Sequence, residues 1–473
     1  MTTGEYIYNT YGRSDDSGYT KIAKGTIYIN NNGAGNVYGL YAPKGTVFNS
    51  DIVGEGVGEG YIEIINNKGN SYGLYGKRVY QANTSGQKRG EGSNYSSIKI
   101  ANIDNRTAIG MYGTDEIINS GDITIHNLRD GTAVGIYADG ANTQNRGTIT
   151  ITRDKYIDNK TTEDTADDTT YTASNSKGGL AIGIYGTADS QISNTGIINI
   201  SGATNAYGIY SEGGTVENTG TIQIDGNSSH PNAIKLNGGK LFQDGMLVSQ
   251  NLSLNDFGGE VVASENSKFI AENNISGDLS VSNSLVKDGF DKTYTAKDVI
   301  NASDTSDLHL NSKSALFNAE LAENNSDIVM KMKDFNDVVD NKSIAGFLGD
   351  NYNEQNNEKL FNSLKGIENA KALNKAVDDM TGKQMFNRFA FEDLSQIREF
   401  NADMNNKLFN NQEKILSTSG NVSPWMLNGA SDSQTKYSLN NMTIGNNSIG
   451  LAIALTDTNS KDNQGQNSRH DKT

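Results

Sequence analysis

A parallel β-solenoid is the fold that this sequence predicts, on three observations. Two short motifs alternate through the first half of the chain, glycine and asparagine are abundant, and proline is almost absent. Gly occurs 52 times in 473 residues, and both Gly and Asn disfavour helix interiors. Short strands joined by tight turns use such a mixture well. Only 35% of the residues are hydrophobic, which a disordered chain would also satisfy, but periodic apolar pairs argue for packed structure over most of the length. Proline stands only at Pro43, Pro231 and Pro424, as expected where most backbone N–H groups enter ladders.

The first motif is apolar-Gly-aliphatic-Tyr: Tyr38–Tyr41, Tyr72–Tyr75, Ile109–Tyr112, Val134–Tyr137, Ile182–Tyr185 and Tyr207–Tyr210. Its glycines, 39, 73, 110, 135, 183 and 208, are spaced 34, 37, 25, 48 and 25 residues apart. The shortest spacing is the basic unit, and the longer ones carry insertions at 77–96 and 153–177. The second motif is Ile-x-Ile, at Ile27–Ile29, Ile62–Ile64, Ile98–Ile100, Ile123–Ile125, Ile149–Ile151, Ile198–Ile200 and Ile222–Ile224. Period two puts both Ile side chains on one face and the middle residue on the other. A 25-residue unit of two or three such strands buries its apolar face only against its neighbours, which is the logic of a solenoid.

Asn119, Asn145, Asn194 and Asn218 each stand two residues before the Gly that opens an Ile-x-Ile strand. Asn tolerates left-handed backbone and bonds its own local backbone. Repeated at one corner, such amides also stack from coil to coil. The constant Gly of the first motif predicts a tight bend or close backbone approach, and the constant Tyr a ring ladder along one side. A tyrosine row also suits a sugar or a receptor, but recurrence in every coil favours the structural role. Leu40, Leu74, Met111, Ile136, Ile184 and Ile209 are expected to form one inward stack. The insertions are expected to project from turns and leave the coil cross-section unchanged.

From 241 to about 340 the motifs fade, although Leu252-Ser253-Leu254, Leu279-Ser280-Val281, Leu308-His309-Leu310 and Ile328–Met332 still alternate. Helical spacing follows: Ala370, Leu373, Val377 and Met380 fall on one face with Gly382 as a stop, and Leu394, Ile397, Met404 and Leu408 repeat the pattern. After Asn421 the chain turns β again, with Pro424-Trp425, Gly429 and a strand at Ser448–Leu455.

Composition excludes several functions. The net charge is −16, from 40 basic and 56 acidic residues, and such a surface repels phosphate backbones, so no nucleic-acid partner is expected. Cysteine is absent, which removes disulfides, zinc thiolates and thiol nucleophiles. No apolar run reaches the roughly 18 residues of a membrane-spanning helix, and Met1–Glu5 lack the features of a signal peptide. His126, His230, His309 and His470 lack metal-ligand spacing. No Gly-x-Ser-x-Gly elbow occurs. The acidic stretch Glu163-Asp164…Asp167-Asp168 lacks a calcium-loop pattern and is expected to be a solvated loop. Gly54–Gly58 lacks the Lys-Ser/Thr of a phosphate loop. No catalytic, cofactor-binding or metal residue is assigned.

This order of parts resembles the autotransporters of Gram-negative bacteria, the type V secretion proteins, and their adhesin-like members in particular. Asn218–Ile224 with Ala206–Tyr210 looks like their passenger repeats, Ala372–Gly382 is similar to the stretch before their barrel, and Trp425 with Gly429 matches the opening of the first barrel strand. The resemblance implies a mostly β chain: a right-handed parallel β-helix passenger over 1–240, an irregular folding-assisting β cap over 241–340, a helical pre-barrel linker over 341–420 and the first strands of an outer-membrane barrel over 421–473. A closed barrel needs at least about eight strands, so this chain would carry two or three of them. The lack of Cys fits passage unfolded through a narrow pore. The function so implied is surface-displayed, non-catalytic adhesion to a host-cell or bacterial surface protein or glycan, with the outer membrane reached through the full-length barrel and no cofactor. A polysaccharide lyase or hydrolase is the alternative, and a structural spacer a third. An enzyme would gather carboxylates, Arg or Lys from adjacent coils into one groove, with the insertions as its walls.

Overall fold

A strand with alternate Ile residues exposes an apolar face that only a similar strand can cover. In the computed structural model of the chain that strand is its own equivalent one repeat later. The structure describes residues 25–380 apart from 50–59, 67, 82–95, 159–167, 175–177, 226–229 and 353–357, with short strands within 2–22 and 435–457. The chain divides into two units, Met1–Asn374 and Lys375–Thr473.

The first unit is built of coils with three faces. The Ile-x-Ile strands form an 11-stranded parallel sheet, the first face. Ile62, Ile98, Ile123, Ile149, Ile198 and Ile222 occupy successive rungs and are fully buried. Leu247, Phe269 and Ile300 continue the row. Strands of the Gly-Tyr motif form the second face. There Leu40, Leu74, Met111, Ile136, Ile184 and Ile209 stack in register, each without solvent exposure, and Ile234 adds a rung.

A third face was not evident in the motifs. Its rungs carry Val47, Val79, Ile117, Thr143, Ile192, Val216, Leu241 and Val261, all buried. From Val47 to Leu241 each strand offers one inward residue and then Asn or Gln, so no period-two apolar pair announces it. In the early coils a single strand, such as Thr107–Asn119, runs through the second and third faces; later the chain breaks into pairs such as Thr132–Ala138 and Asn142–Asn145.

The box glycines are the tightest points of the stack. A Cβ on Gly110 would stand 2.5 Å from both the Gly135 carbonyl oxygen and the Ile123 Cγ2. Gly39, Gly73, Gly135, Gly183 and Gly208 are confined in the same way by the next coil and by a first-face Ile. Two consecutive residues, Gly and the aliphatic, face the interior at this bend, and only one side chain fits. At the corner between the third and first faces, Asn119 Nδ2 donates to Asn145 Oδ1 (2.8 Å), Asn145 to Asn194 (2.7 Å), Asn194 to Asn218 (2.7 Å) and Asn218 to Gln243 Oε1 (3.0 Å). Asn31 to Asn66 (3.1 Å) and Asn102 to Asn127 (2.9 Å) link rungs at the end of the first-face strands.

The parallel sheets run past residue 240. Gly277–Val281 pairs with Leu308–Ser312, and Phe269 with Ile300. A three-stranded antiparallel sheet of Thr293–Ala296, Ile328–Met332 and Phe317–Leu321 then interrupts the parallel order. Helices α1 (Phe335–Val338), α2 (Lys342–Asp350), α3 (Glu358–Lys365) and α4 (Ala370–Met380) follow. Phe290, Phe335, Tyr352 and Phe361 form an aromatic cluster with centroids 4.9–6.4 Å apart. Of the predicted face on α4, Leu373 and Val377 are buried, whereas Ala370 and Met380 are exposed.

In the second unit, Thr435–Leu439 pairs antiparallel with Ile453–Asp457, and Thr443–Gly445 with Ser448–Gly450. The single strand expected at Ser448–Leu455 is thus described as two. Gly382, the helix expected around Leu394–Leu408, and Pro424, Trp425 and Gly429 lie outside the described residues.

Two outcomes test this account. Gly183→Ala should lower unfolding free energy by about 1–3 kcal/mol through overpacking, measured by urea denaturation. Glu260 is held by Lys240 Nζ at 3.1 Å, by Lys313 and by the Ser280 hydroxyl at 3.0 Å. Burial alone would raise its pKa, but these donors outweigh burial and hold it at about 2, below its ordinary 4.5. A carboxyl depressed on folding stabilises fully above its unfolded value and less as pH falls through its folded one. Glu260→Gln should therefore destabilise at neutral pH, and the difference from the parent should shrink between about pH 4.5 and 2.

Candidate functional site

The middle residue of Ile-x-Ile points outward. In most coils it is Thr, Asn or Gln, but in three consecutive early coils it is Tyr28, Glu63 and Lys99, on successive rungs. This departure is the one sequence signal for a lateral site, and a search for known catalytic patterns passes over it. His126 lies one coil further along the same sheet.

The insertion expected to project from a turn at 153–177 instead folds back over this surface. Tyr156–Asp158 and Thr169–Tyr171 pair as an antiparallel hairpin. The Tyr28 hydroxyl donates to both Asp158 oxygens (2.9 and 2.8 Å), and the Tyr156 hydroxyl donates to Glu63 Oε1. Lys99 Nζ stands 3.4 Å from Glu63 Oε1 and 4.5 Å from the Tyr156 ring centroid. Tyr156 also packs on Tyr28, Ile65, Ala101 and Leu128. At the base of the hairpin, Arg153 Nη1 donates to the Asn127 and Arg129 carbonyls (3.2 and 2.9 Å), and Arg129 Nη1 to Thr172 O (2.9 Å). An apolar-aromatic cover with a carboxylate at its tip gains more from the first face than from solvent, so the insertion lies down. The coil cross-section is unchanged: Thr148 pairs with Ile197 across the insertion as Asp122 pairs with Thr148. The other insertion starts later than expected, since Lys77–Gln81 belongs to the strand Ser71–Gln81.

The electrostatics follow from burial. Glu63 and Asp158 are each 1% exposed. Burial, together with the neighbouring carboxylates, holds the Tyr28, Tyr61 and Tyr156 hydroxyls well above the usual phenol range, so they stay protonated donors. Burial pushes His126 below its ordinary value, opposed by the Asp154 carbonyl 3.2 Å from its Nδ1 and aided by the Lys99 charge. The chemistry of an acid–base pair is present but covered: both Asp158 oxygens and Glu63 Oε1 accept from tyrosine hydroxyls, while Glu63 Oε2 is buried without a hydrogen-bond partner among the described residues.

The tyrosine row takes its predicted ladder form. Ring centroids of Tyr41, Tyr75, Tyr112, Tyr137, Tyr185 and Tyr210 are separated successively by 5.2, 4.4, 5.3, 4.7 and 5.4 Å. Beside them Ile109, Val134 and Ile182 form a buried cluster. The Tyr112 hydroxyl donates to Asp139 of the next coil (2.7 Å), and Tyr185 to Glu212. Ring faces are largely turned to one another, which leaves edges for any ligand.

Of the other residues weighed, His309 is exposed, 3.9 Å from Asp278, and His230 lies in the strand His230–Leu236. His470, Gly54–Gly58 and most of the acidic stretch lie outside the described residues. Among the described residues no group of three or more His, Cys, Asp or Glu is placed to hold a metal, and no helix is long and apolar enough to cross a membrane.

With this geometry in view, one family match is informative. Residues 132–251 match the model described as the BigA third pectate lyase-like domain. The matched stretch covers the coils that open at Thr132, Leu180, Asn205 and His230, and supports a mostly β, β-helix-like architecture with long parallel sheets. It begins after Tyr28, Glu63 and Lys99, so it includes the covering hairpin but not the surface that the hairpin covers. No curated protein and no solved structure matches the chain.

If the hairpin is held by its hydroxyls, the double variant Tyr28→Phe, Tyr156→Phe takes one hydroxyl donor from each of two buried carboxylates and should cost about 3–6 kcal/mol, at about 1.5–3 for each. Urea denaturation read by circular dichroism checks the loss.

Proposed function

We propose that this chain is a non-catalytic, surface-displayed passenger module of the autotransporter type, a right-handed parallel β-helix that contacts a protein or glycan on another surface. In this reading residues 421–473 belong to strands of an outer-membrane barrel. One observation carries the non-catalytic part: Glu63 and Asp158, the carboxylates brought together over adjacent coils, are sealed and bonded to tyrosines. The pectate lyase-like match supports the solenoid and agrees with an extracellular setting. Fold likeness carries no reaction with it.

A polysaccharide lyase or hydrolase is the second reading, favoured by the convergence of Glu63, Lys99 and His126 beside the hairpin. Purified chain incubated with polygalacturonate or neutral polysaccharides should release no reducing ends or unsaturated products, while fluorescent chain should bind fixed epithelial or bacterial cells saturably. Product formation that disappears in Glu63→Gln, with the fold intact, would replace the first reading by the second.

A further inference from the structure

The outer surface of the third face differs from the other two. It has no covering hairpin among the described residues and no ring ladder in its later coils. Asn142, Gln191 and Thr215 occupy one outward row, and Gln144, Ser193 and Glu217 the row beside it. Together they line a shallow groove of about 280 Å³. Gln144 accepts from Arg146; the other five make no side-chain hydrogen bond among the described residues. The groove therefore presents amides, hydroxyls and one carboxylate, all but the Gln144 oxygen without a side-chain hydrogen bond among the described residues. On the next rung after Glu217 stands Phe242, 45% exposed. Its rung neighbours are Glu217 and Val262, and no ring lies against it among the described residues.

We infer that this strip, from Asn142 to Phe242, is a binding site for a linear neutral glycan lying along the coil axis. The inference rests on the adhesion reading and names its ligand class. Sugar C–H faces pack on aromatic rings, and Phe242 is 45% exposed with no ring against it among the described residues, whereas most of the ladder tyrosines are stacked on one another. Sugar hydroxyls need mixed donors and acceptors, which amides and hydroxyls supply in each coil. Rungs recur at about 4.8 Å, close to the repeat of an extended hexose chain, so successive sugars each meet a pair of polar side chains. The groove itself carries Glu217, which opposes a polyuronate, and Lys240, on the rung after Thr215, is paired with Glu260.

Titration calorimetry with linear β-linked neutral hexose oligomers of increasing length, and with oligogalacturonate of matched length, tests this. Affinity for the neutral series should rise with length and level off once the strip is filled, and oligogalacturonate should bind more weakly. Phe242→Ala and Gln191→Ala should each weaken binding roughly tenfold, while Tyr137→Phe should not, with unchanged circular dichroism in all three. No binding of the neutral oligomers, preference for the uronate, or indifference to Phe242→Ala would overturn the inference. So would concentration-dependent dimerisation that Phe242→Ala abolishes, since a second copy would then be the occupant. Cell binding that persists unchanged in Phe242→Ala would overturn the glycan strip while leaving the adhesion reading standing.

Discussion

Stacked coils must approach to the spacing of paired strands, about 4.8 Å, and at the second-face bend they must do so with two consecutive residues turned inward. That constraint governs the molecule. Gly110 lies against the Gly135 carbonyl and Ile123, and the same arrangement holds from Gly39 to Gly208. Because each glycine lets the next coil close in, the aliphatic stacks on all three faces come into register and the interior excludes solvent. Where the motif gives way to Asn232-Ala233-Ile234-Lys235, the column ends. Insertions are tolerated between coils because they leave this contact untouched.

Translation along one axis also satisfies buried polar groups. A primary amide both donates and accepts, so Asn119, Asn145, Asn194 and Asn218 serve one another, with the backbone of the glycine two residues on as a further partner. All donate in the same direction, toward the later coil. Such a chain must leave a donor over at its far end, and Gln243 Nε2, on the last rung, is buried without a hydrogen-bond partner. The rung beyond it is Ala263.

Much of this was legible in the sequence because repetition is a translation rule written out in residues. The Ile-x-Ile pairs, the inward stack from Leu40 to Ile209, the tyrosine ladder and the Asn corner all follow from motif position. The third face was not legible: Val79, Ile117 and Thr143 are single inward residues, and the asparagines that end those strands resemble turn residues. The site was harder. Glu63 and Lys99 differ from their counterparts Thr124 and Thr150, but what they meet, Tyr156 and Asp158, arrives from a hairpin whose docking no local pattern encodes. Phe242 likewise stands out only once its rung is known.

That hairpin changes the statistics of the stack. Coils that touch only their neighbours behave as a one-dimensional chain, in which fraying at one end is felt weakly at the other. Tyr28 and Asp158 are 130 residues apart in sequence, and the bond between them skips the coils that begin near Glu63, Lys99 and Asp122. It forms only when those intervening coils are wound to the correct number and pitch. A slipped or missing coil would bring Asp158 to the wrong rung. The hairpin thus acts as a gauge of length along the early coils and ties them into one cooperative block, whereas the coils after it remain free to open one at a time.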